Sequence, residues 1–78
     1  MSIIVEDQGV VEQINALLHE YGESIIGRMG LPYRQRNISI ISIAIDAPQN
    51  EISSLAGKIG KLPRVSVKTA YSSVISNE

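Results

Sequence analysis

The amino-acid sequence predicts an α+β domain in which two helices pack on one face of a four-stranded antiparallel sheet. Two stretches with apolar residues at helical spacing are interleaved with four apolar, β-branched runs, in the order strand, helix, strand, strand, helix, strand. This βαββαβ order is the split βαβ, ferredoxin-like pattern, a two-layer sandwich. Right-handed crossovers then place the first and third strands in the centre of the sheet.

The length of 78 residues corresponds to a single domain, 1–78. A domain of this size buries only about 60–65% of the surface of its unfolded chain, so disulfides, metals or oligomerisation often add stability. The chain has no cysteine and one histidine, which removes disulfides and predicts neither a metal site nor a cofactor. We therefore expect a homo-oligomer, either a dimer or a tetramer.

The charge and composition exclude several kinds of partner. The net charge is −1 with both signs mixed along the chain, and there is no Phe or Trp, so neither a basic stripe nor a base-stacking platform is present. No apolar run approaches the roughly 20 residues that cross a bilayer, and the amino end has no secretory pattern. We expect a cytoplasmic protein without direct contact with nucleic acid or membrane.

The first strand and helix are predicted from residues 3–21. Residues 3–5 are a short run of Ile and Val, typical of a buried central strand. Asp7 is in position to cap a helix, and Gly22 is expected to end that helix in the left-handed conformation. The apolar positions of the helix fall on one face: Val10, Val11, Ile14, Leu17, Leu18 and Tyr21.

A strand containing glycine and proline follows at residues 24–33. Gly27 and Gly30 weaken it and mark either a bulge at a bent sheet edge or a close approach by another group. Pro32 cannot donate a ladder hydrogen bond, so the strand belongs at an edge of the sheet. A polar turn at residues 34–37 leads into the strand at 38–46. Strict alternation puts the following side chains on one face: Ile25, Gly27, Met29, Leu31 and Tyr33.

The isoleucines of the third strand change phase. Ile38 and Ile40 lie on one face, whereas Ile41, Ile43 and Ile45 lie on the other. Either a β-bulge resets the register, or both faces are covered. Since the helices of a two-layer domain cover only one face, a partner sheet or subunit is the favoured explanation, and these five residues form the predicted interface. Side-by-side extension and face-to-face stacking both remain open.

The second helix begins near Pro48, which suits a first helical turn. Its apolar positions repeat as Ile52, Leu55, Ala56 and Ile59. Gly60 is expected at the C′ position, and Lys58 near that end suits the negative pole of the helix dipole. Residues 65–71 alternate as the last strand, and residues 72–78 form a polar tail.

No catalytic arrangement is predicted, so we do not expect an enzyme. His19 has no second ligand or acidic partner at helical spacing and is interpreted as a solvated helix residue. Glu6 and Asp7 are explained by helix capping. The segment at 57–60 lacks the earlier glycine, the Ser or Thr and the following helix of a phosphate-binding loop.

The candidate ligand-binding residues lie where a basic side chain stands between glycines. They are Gly27, Arg28, Gly30, Gly57, Lys58 and Gly60. An arginine flanked by glycines can offer its planar guanidinium to a carboxylate or phosphate, so we predict a small anionic effector near Arg28 and Lys58. An ion pair of Arg28 with Glu23 or Asp46 across a subunit interface is an equal alternative.

Three motifs carry a resemblance to a known family. They are His19-Glu20-Tyr21, Gly27-Arg28-Met29-Gly30-Leu31-Pro32-Tyr33 and Leu55-Ala56-Gly57-Lys58-Ile59-Gly60, and Val65-Ser66-Val67-Lys68 adds to them. With these motifs at this spacing, the chain resembles the family of regulators of the iron-only hydrogenase system from about residue 4 to residue 71. Ile59 stands where leucine is expected in the family, and the amino end looks shorter than usual.

The resemblance implies an ACT-like version of the ferredoxin-like sandwich, a homo-oligomer, and a non-enzymatic regulatory role that senses a small molecule. ACT-like domains commonly bind amino acids or similar effectors at subunit interfaces. The metal site of the related nickel-responsive repressors does not transfer, because it needs several histidines and usually a cysteine. Without a DNA-binding head, direct repression needs a protein partner. The alternative is a structural protein–protein interaction module without a small-molecule ligand.

Overall fold

The protein's computed structural model describes residues 1–72 of the chain. The strands and α-helices are β1 Ser2–Val5, α1 Val11–Glu20, β2 Ile25–Tyr33, β3 Ile38–Ile45, α2 Gln49–Gly60 and β4 Val65–Lys68. Short 3₁₀ turns at Gln8–Val10, Gly22–Ser24 and Arg34–Arg36 precede α1, β2 and β3. The tail predicted at 72–78 lies, from residue 73 on, outside the described residues.

The four strands form one antiparallel sheet in the order β2-β3-β1-β4. The apolar strands β1 and β3 occupy the centre, and the strand with two glycines and a proline lies at an edge, as predicted. The predicted α+β, βαββαβ ferredoxin-like fold is therefore confirmed. Neither helix of the described region has both the length and the apolar character needed to cross a membrane.

The core lies between the sheet and the two helices. Alternate residues of β1 and β3 face the helices, and α1 and α2 turn their apolar stripes toward them. The buried side chains are Ile3, Val5, Val10, Ile14, Leu18, Ile41, Ile43, Ile52, Leu55 and Ile59. Among the described residues no polar or charged side chain is buried with them, so burial of apolar surface holds the two layers together.

The register of β3 decides between the two explanations for its isoleucines. Ile3 pairs with Ile41 and Ile4 pairs with Ile40, so the ladder with β1 continues without a break where the phase changes. No bulge lies at that point, and β3 therefore carries apolar side chains on both faces. Its helix-facing residues belong to the core, whereas Ile38 and Ile40 face away from the helices.

The register shift in this sheet lies instead in β2, between Ile25 and Gly27. Ile25 pairs with Ile45, and both pack against the core, whereas Met29 pairs with Ser42 on the opposite face. The prediction that Ile25 shares a face with Gly27 is therefore wrong. The bulge inserts one residue, Ile26, and reverses the alternation.

The chain ends its helices without left-handed glycines. Gly22 begins a 3₁₀ turn and Gly60 is the last residue of α2, so both predicted glycine caps are wrong. Positive φ angles occur at Asn37 (56°) and Arg64 (59°), beyond the helices, where the chain turns toward β3 and β4. Asp7 caps the 3₁₀ turn Gln8–Val10, since its Oδ1 accepts a hydrogen bond of 2.9 Å from the Gly9 N–H. The predicted cap of the helix itself is wrong, because the N-cap of α1 is Val10 and α1 has no side-chain cap hydrogen bond.

Candidate functional site

Arg28 lies on the exposed edge strand β2 and reaches back toward α1. Its register partner is the buried Ile43, which places Arg28 on the helix side of the sheet. The guanidinium Nη2 donates a hydrogen bond of 2.9 Å to the Asn15 Oδ1. Since guanidinium has five N–H donors, most of its hydrogen-bonding capacity still faces solvent.

The glycines around Arg28 do not serve a close approach within this chain. A Cβ atom added at Gly27 or Gly30 would meet no atom within 4 Å, and neither glycine has a positive φ. Gly30 leaves an open surface beside Arg28 on the helix side of β2, whereas Gly27 pairs with Ala44 and lies on the opposite face of the sheet. No group of the described residues makes the predicted close approach to either glycine.

The second glycine–basic motif lies on the exposed side of α2. Gly57 and Gly60 are both helical, and a Cβ at either would again meet nothing within 4 Å. The Lys58 Nζ donates a hydrogen bond of 3.1 Å to the Tyr21 hydroxyl and lies 5.2 Å from the centre of that ring. This motif is therefore an exposed helix surface that is tied to the end of α1.

The Tyr21–Lys58 contact changes the ionisation of both groups. Hydrogen bonding to Ser54 and then to Lys58 lowers the pKa of Tyr21 below its ordinary value, because both contacts favour the phenolate. The hydrogen bond to Tyr21 raises the pKa of Lys58, since the phenolic oxygen stabilises the ammonium form.

The structure therefore does not combine Arg28 and Lys58 in one site. Arg28 contacts Asn15, in the middle of α1, whereas Lys58 contacts Tyr21, just past the end of that helix. The six predicted ligand-binding residues form two separate surfaces, one on β2 and one on α2.

Two surface cavities lie elsewhere. A cleft of about 820 Å³ between the end of α1 and the start of α2 is lined by polar groups that include His19, Glu23 and Glu51. A cavity of about 700 Å³ is lined mainly by apolar residues, Ile26 and Ile52 among them. Neither is lined by Arg28 or Lys58. Across residues 1–72, no group of His, Cys, Asp and Glu side chains is arranged to hold a metal ion.

The sheet face opposite the helices carries a continuous apolar surface, which we call the open-face patch. It consists of Ile4, Met29, Leu31, Tyr33, Ile38 and Ile40. Leu31 pairs with Ile40 and Ile40 pairs with Ile4, so one apolar row crosses three strands. Met29 is 65% exposed, Leu31 60% and Tyr33 42%, which is unusual for large apolar side chains that adjoin one another.

Of the five isoleucines predicted to form an interface, only Ile38 and Ile40 lie on this face. Ile41 and Ile43 are 5% and 2% exposed, and Ile45 is partly buried against the same core. Side chains buried within their own protomer are not accessible to a partner, so Ile41 and Ile43 are not available to an interface, and the interface itself stays a prediction.

The prediction also missed three members of the patch. Met29, Leu31 and Tyr33 alternate on one face of β2, a signal that was present in the sequence. Their significance emerges only from the register, which places them beside Ile38 and Ile40. The fold and this surface define a class of protein: a small ferredoxin-like domain with an exposed apolar surface on its sheet.

A comparison with protein-family models matches residues 1–69 to the family described as "TM1266-like: Iron-only hydrogenase system regulator, putative". The chain belongs to this family, in agreement with the resemblance of its motifs. Among solved structures, it is similar to the uncharacterized protein TM1266 from Thermotoga maritima. The two share 36% sequence identity with a TM-score of 0.84, and the match covers 88% of each chain. A search of curated proteins found no match.

Proposed function

We propose that this protein is a non-enzymatic regulatory component of an iron-only hydrogenase system. The observation that carries the proposal is the family match, which extends over residues 1–69. The exposed features of the chain add support, because an edge arginine and an apolar sheet face are suited to binding rather than to bond making. A regulator of this size acts by contact with an effector or with another protein.

A genetic experiment tests the regulatory role. The gene is deleted in a host that has both this protein and an iron-only hydrogenase, and hydrogenase activity and transcript level are measured. We expect either quantity to change and to be restored by the wild-type gene. Unchanged activity and unchanged transcript level under all growth conditions that induce the hydrogenase would contradict the role.

Effector sensing is the mode of action that we propose, with Arg28 as the anion-binding group. Its guanidinium is exposed and uses one donor on Asn15, which leaves a pair of N–H groups for a carboxylate or phosphate. The open surface at Gly30, on the same side of β2 as Arg28, gives such a ligand access to the strand backbone. Lys58 is a separate surface cation, because it donates a hydrogen bond to the Tyr21 hydroxyl.

Thermal-shift measurements with free amino acids and with nucleotides test the Arg28 site. A ligand that raises the melting temperature of the wild type is expected to lose this effect in Arg28→Ala. The matched control is Arg36→Ala, another exposed arginine on the turn after β2, which should keep the full shift. An unchanged shift in Arg28→Ala, or no anion that shifts the wild type, would rule out this site.

A protein–protein interaction module without a small-molecule ligand is the second candidate function, favoured by the open-face patch. The variant Leu31→Glu discriminates between the two modes in the deletion host. If contact through the patch carries the regulation, this variant fails to restore hydrogenase levels while Arg28→Ala restores them. Effector sensing at Arg28 predicts that Arg28→Ala fails.

A further inference from the structure

We propose that the open-face patch is the contact between two copies of this chain, which stack sheet against sheet about a twofold axis. The resulting dimer has four layers, with helices outside and two sheets inside. This inference rests on the patch alone and does not depend on the regulatory role or on Arg28.

The first argument is the extent and continuity of the exposed apolar surface. The row Leu31, Ile40 and Ile4 runs across three strands, with Met29 on one side of it along β2 and Tyr33 on the other. Scattered exposed apolar residues need no explanation, but a contiguous set on a flat sheet face marks a surface that something covers. Stacked sheets lie about 10 Å apart, a distance that such side chains fill.

The second argument is the absence of charge from the patch. All six members are uncharged, and the neighbouring open-face positions on β3 and β1 are Ser42 and Ser2. Arg36 and Lys68 lie outside the patch, at the turn before β3 and on β4. A second copy therefore covers the patch without burying an unpaired charge, which is the main cost of a contact of this kind. In a twofold contact, apolar meets apolar by symmetry.

The third argument is area. From a strand spacing of about 4.8 Å and a rise of about 3.3 Å per residue, the patch, which spans three strands over about five residues, presents roughly 240 Å² in projection. β4 is left out, because Lys68 pairs with Ser2 and therefore lies on the same open face. Accessible area exceeds projected area, but two stacked copies still bury less than the roughly 1,000 Å² of a stable specific interface. We therefore expect a reversible dimer in the micromolar to millimolar range rather than a permanent one.

Stacking fits the chain better than sheet extension at the β2 edge. Pro32 removes a backbone donor from that strand, and glycine at positions 27 and 30 lowers its tendency to pair with a further strand. These residues are the ones that proteins use to prevent edge-to-edge pairing. The patch has no such protection.

Sedimentation velocity and light scattering over the micromolar to millimolar range test the proposal. The wild type is expected to shift from monomer to dimer, and Leu31→Glu is expected to weaken the dimer on the order of 100-fold, because it would bury an unpaired carboxylate. The matched control is Ile26→Glu at the bulge. Ile26 is 68% exposed but lines the apolar cavity rather than the patch, so this variant should dimerise normally.

Circular dichroism verifies that each variant is folded, and Leu31→Ser takes the place of Leu31→Glu if the charged variant is not. A wild type that stays monomeric over the whole range overturns the proposal. So does a dimer that Ile26→Glu weakens as much as Leu31→Glu does, or one that neither Leu31 variant weakens.

Salt dependence is an independent readout. A stack of uncharged side chains should persist in molar sodium chloride, since it contains no ion pair to be screened. An association that disappears at high salt would instead indicate a charge-driven contact through Arg36 or Lys68, and would overturn the apolar stack. A different protein that binds the patch more tightly than a second copy does would also overturn it.

Discussion

Tyr21 and Lys58 link the end of α1 to α2 through one exposed polar contact. The Lys58 ammonium donates to the Tyr21 hydroxyl at 3.1 Å, and hydrogen bonds from Ser54 and Lys58 lower the pKa of Tyr21. Because a residue pair at the surface is solvated, its effect is better detected in the titration of the two groups than in the stability of the protein.

Replacing Lys58 by Met should raise the pKa of Tyr21 toward its ordinary value, because one of the groups that stabilise the phenolate is lost. Ultraviolet absorbance titration of the tyrosines measures the change. Lys61→Met, which removes a neighbouring charge without removing this hydrogen bond, should leave the Tyr21 titration near that of the wild type. Equal titration curves for all three proteins would contradict the coupling.

The direction of the two pKa shifts confines their effect to alkaline pH. The raised pKa of Lys58 gives stability that is present below the unfolded pKa of lysine and is lost as pH rises through the folded value. The lowered pKa of Tyr21 gives stability that is present above the unfolded pKa of tyrosine and is lost as pH falls through the folded value. The free energy of unfolding, measured in urea, should therefore depend on pH differently in the wild type and in Lys58→Met only at alkaline pH.

Asn37 is the residue that turns the chain from the Arg34–Arg36 turn into β3. Its φ of 56° lies in the left-handed region, which asparagine tolerates better than most residues. Asn37→Ala should lower the free energy of unfolding by about 1 kcal/mol, whereas Asn37→Gly should leave it unchanged or raise it. Urea denaturation compares the two; equal losses would show that the asparagine side chain, not the backbone angle, matters.

At the scale of the elements, Gly57 is an interior residue of α2 with no steric need for glycine. A Cβ at this position meets no atom within 4 Å. Since alanine favours a helix over glycine by about 1 kcal/mol, Gly57→Ala should stabilise the protein by that amount in urea denaturation. If the variant is stabilised and still complements the deletion, the glycine has no role in ligand binding; a destabilised variant would mean that an unseen neighbour occupies this space.

The elements themselves were predictable because their periodicities are unambiguous. Ile14, Leu18, Leu55 and Ile59 recur at helical spacing, and all four are buried in the structure. β1 and β3 are the most apolar strands, which predicts that they lie in the centre of the sheet. Pro32 lacks a backbone N–H donor, which predicts that β2 lies at an edge. Fold class and strand order follow from these few positions together with the handedness of the crossovers.

The details that failed depend on backbone conformations that residue type does not fix. Gly22 and Gly60 could have taken a left-handed cap, but the chain leaves each helix through helical or 3₁₀ geometry and reverses later, with Arg64 in the left-handed position after α2. The separation of Arg28 from Lys58 could not be predicted for a related reason. Arg28 and Lys58 each lie between two glycines, but this similarity does not predict which residues of α1 each side chain contacts.

At the scale of the whole molecule, the small core limits the stability of a single copy, while the open-face patch leaves further apolar surface in contact with water. Ten side chains form the buried core of the described residues, while a second apolar surface remains exposed on the sheet. Covering that surface adds hydrophobic stabilisation that a single copy of this chain does not obtain. Association and stability are therefore expected to be coupled.

This coupling predicts a melting temperature that rises with protein concentration, because binding between folded chains favours the folded state by mass action. Differential scanning fluorimetry or calorimetry over a range of concentrations should show the rise for the wild type and for Ile26→Glu, and a constant value for Leu31→Glu. A wild-type melting temperature that is independent of concentration would show that association does not add to the stability of the fold.

The bulge at Ile26 sets the number of residues between the core position Ile25 and the open-face patch in β2. With the extra residue in place, Ile25 faces the core beside Ile45, while Met29, Leu31 and Tyr33 face away from the helices. Deleting Ile26 would restore strict alternation and leave Ile25 on the core face, because Ile25 would then directly precede Gly27. Relatives that lack this one residue should therefore keep the same core and open-face positions, whereas a single-residue insertion in β2 should be rare, because it would need a second irregularity to keep Ile25 in the core.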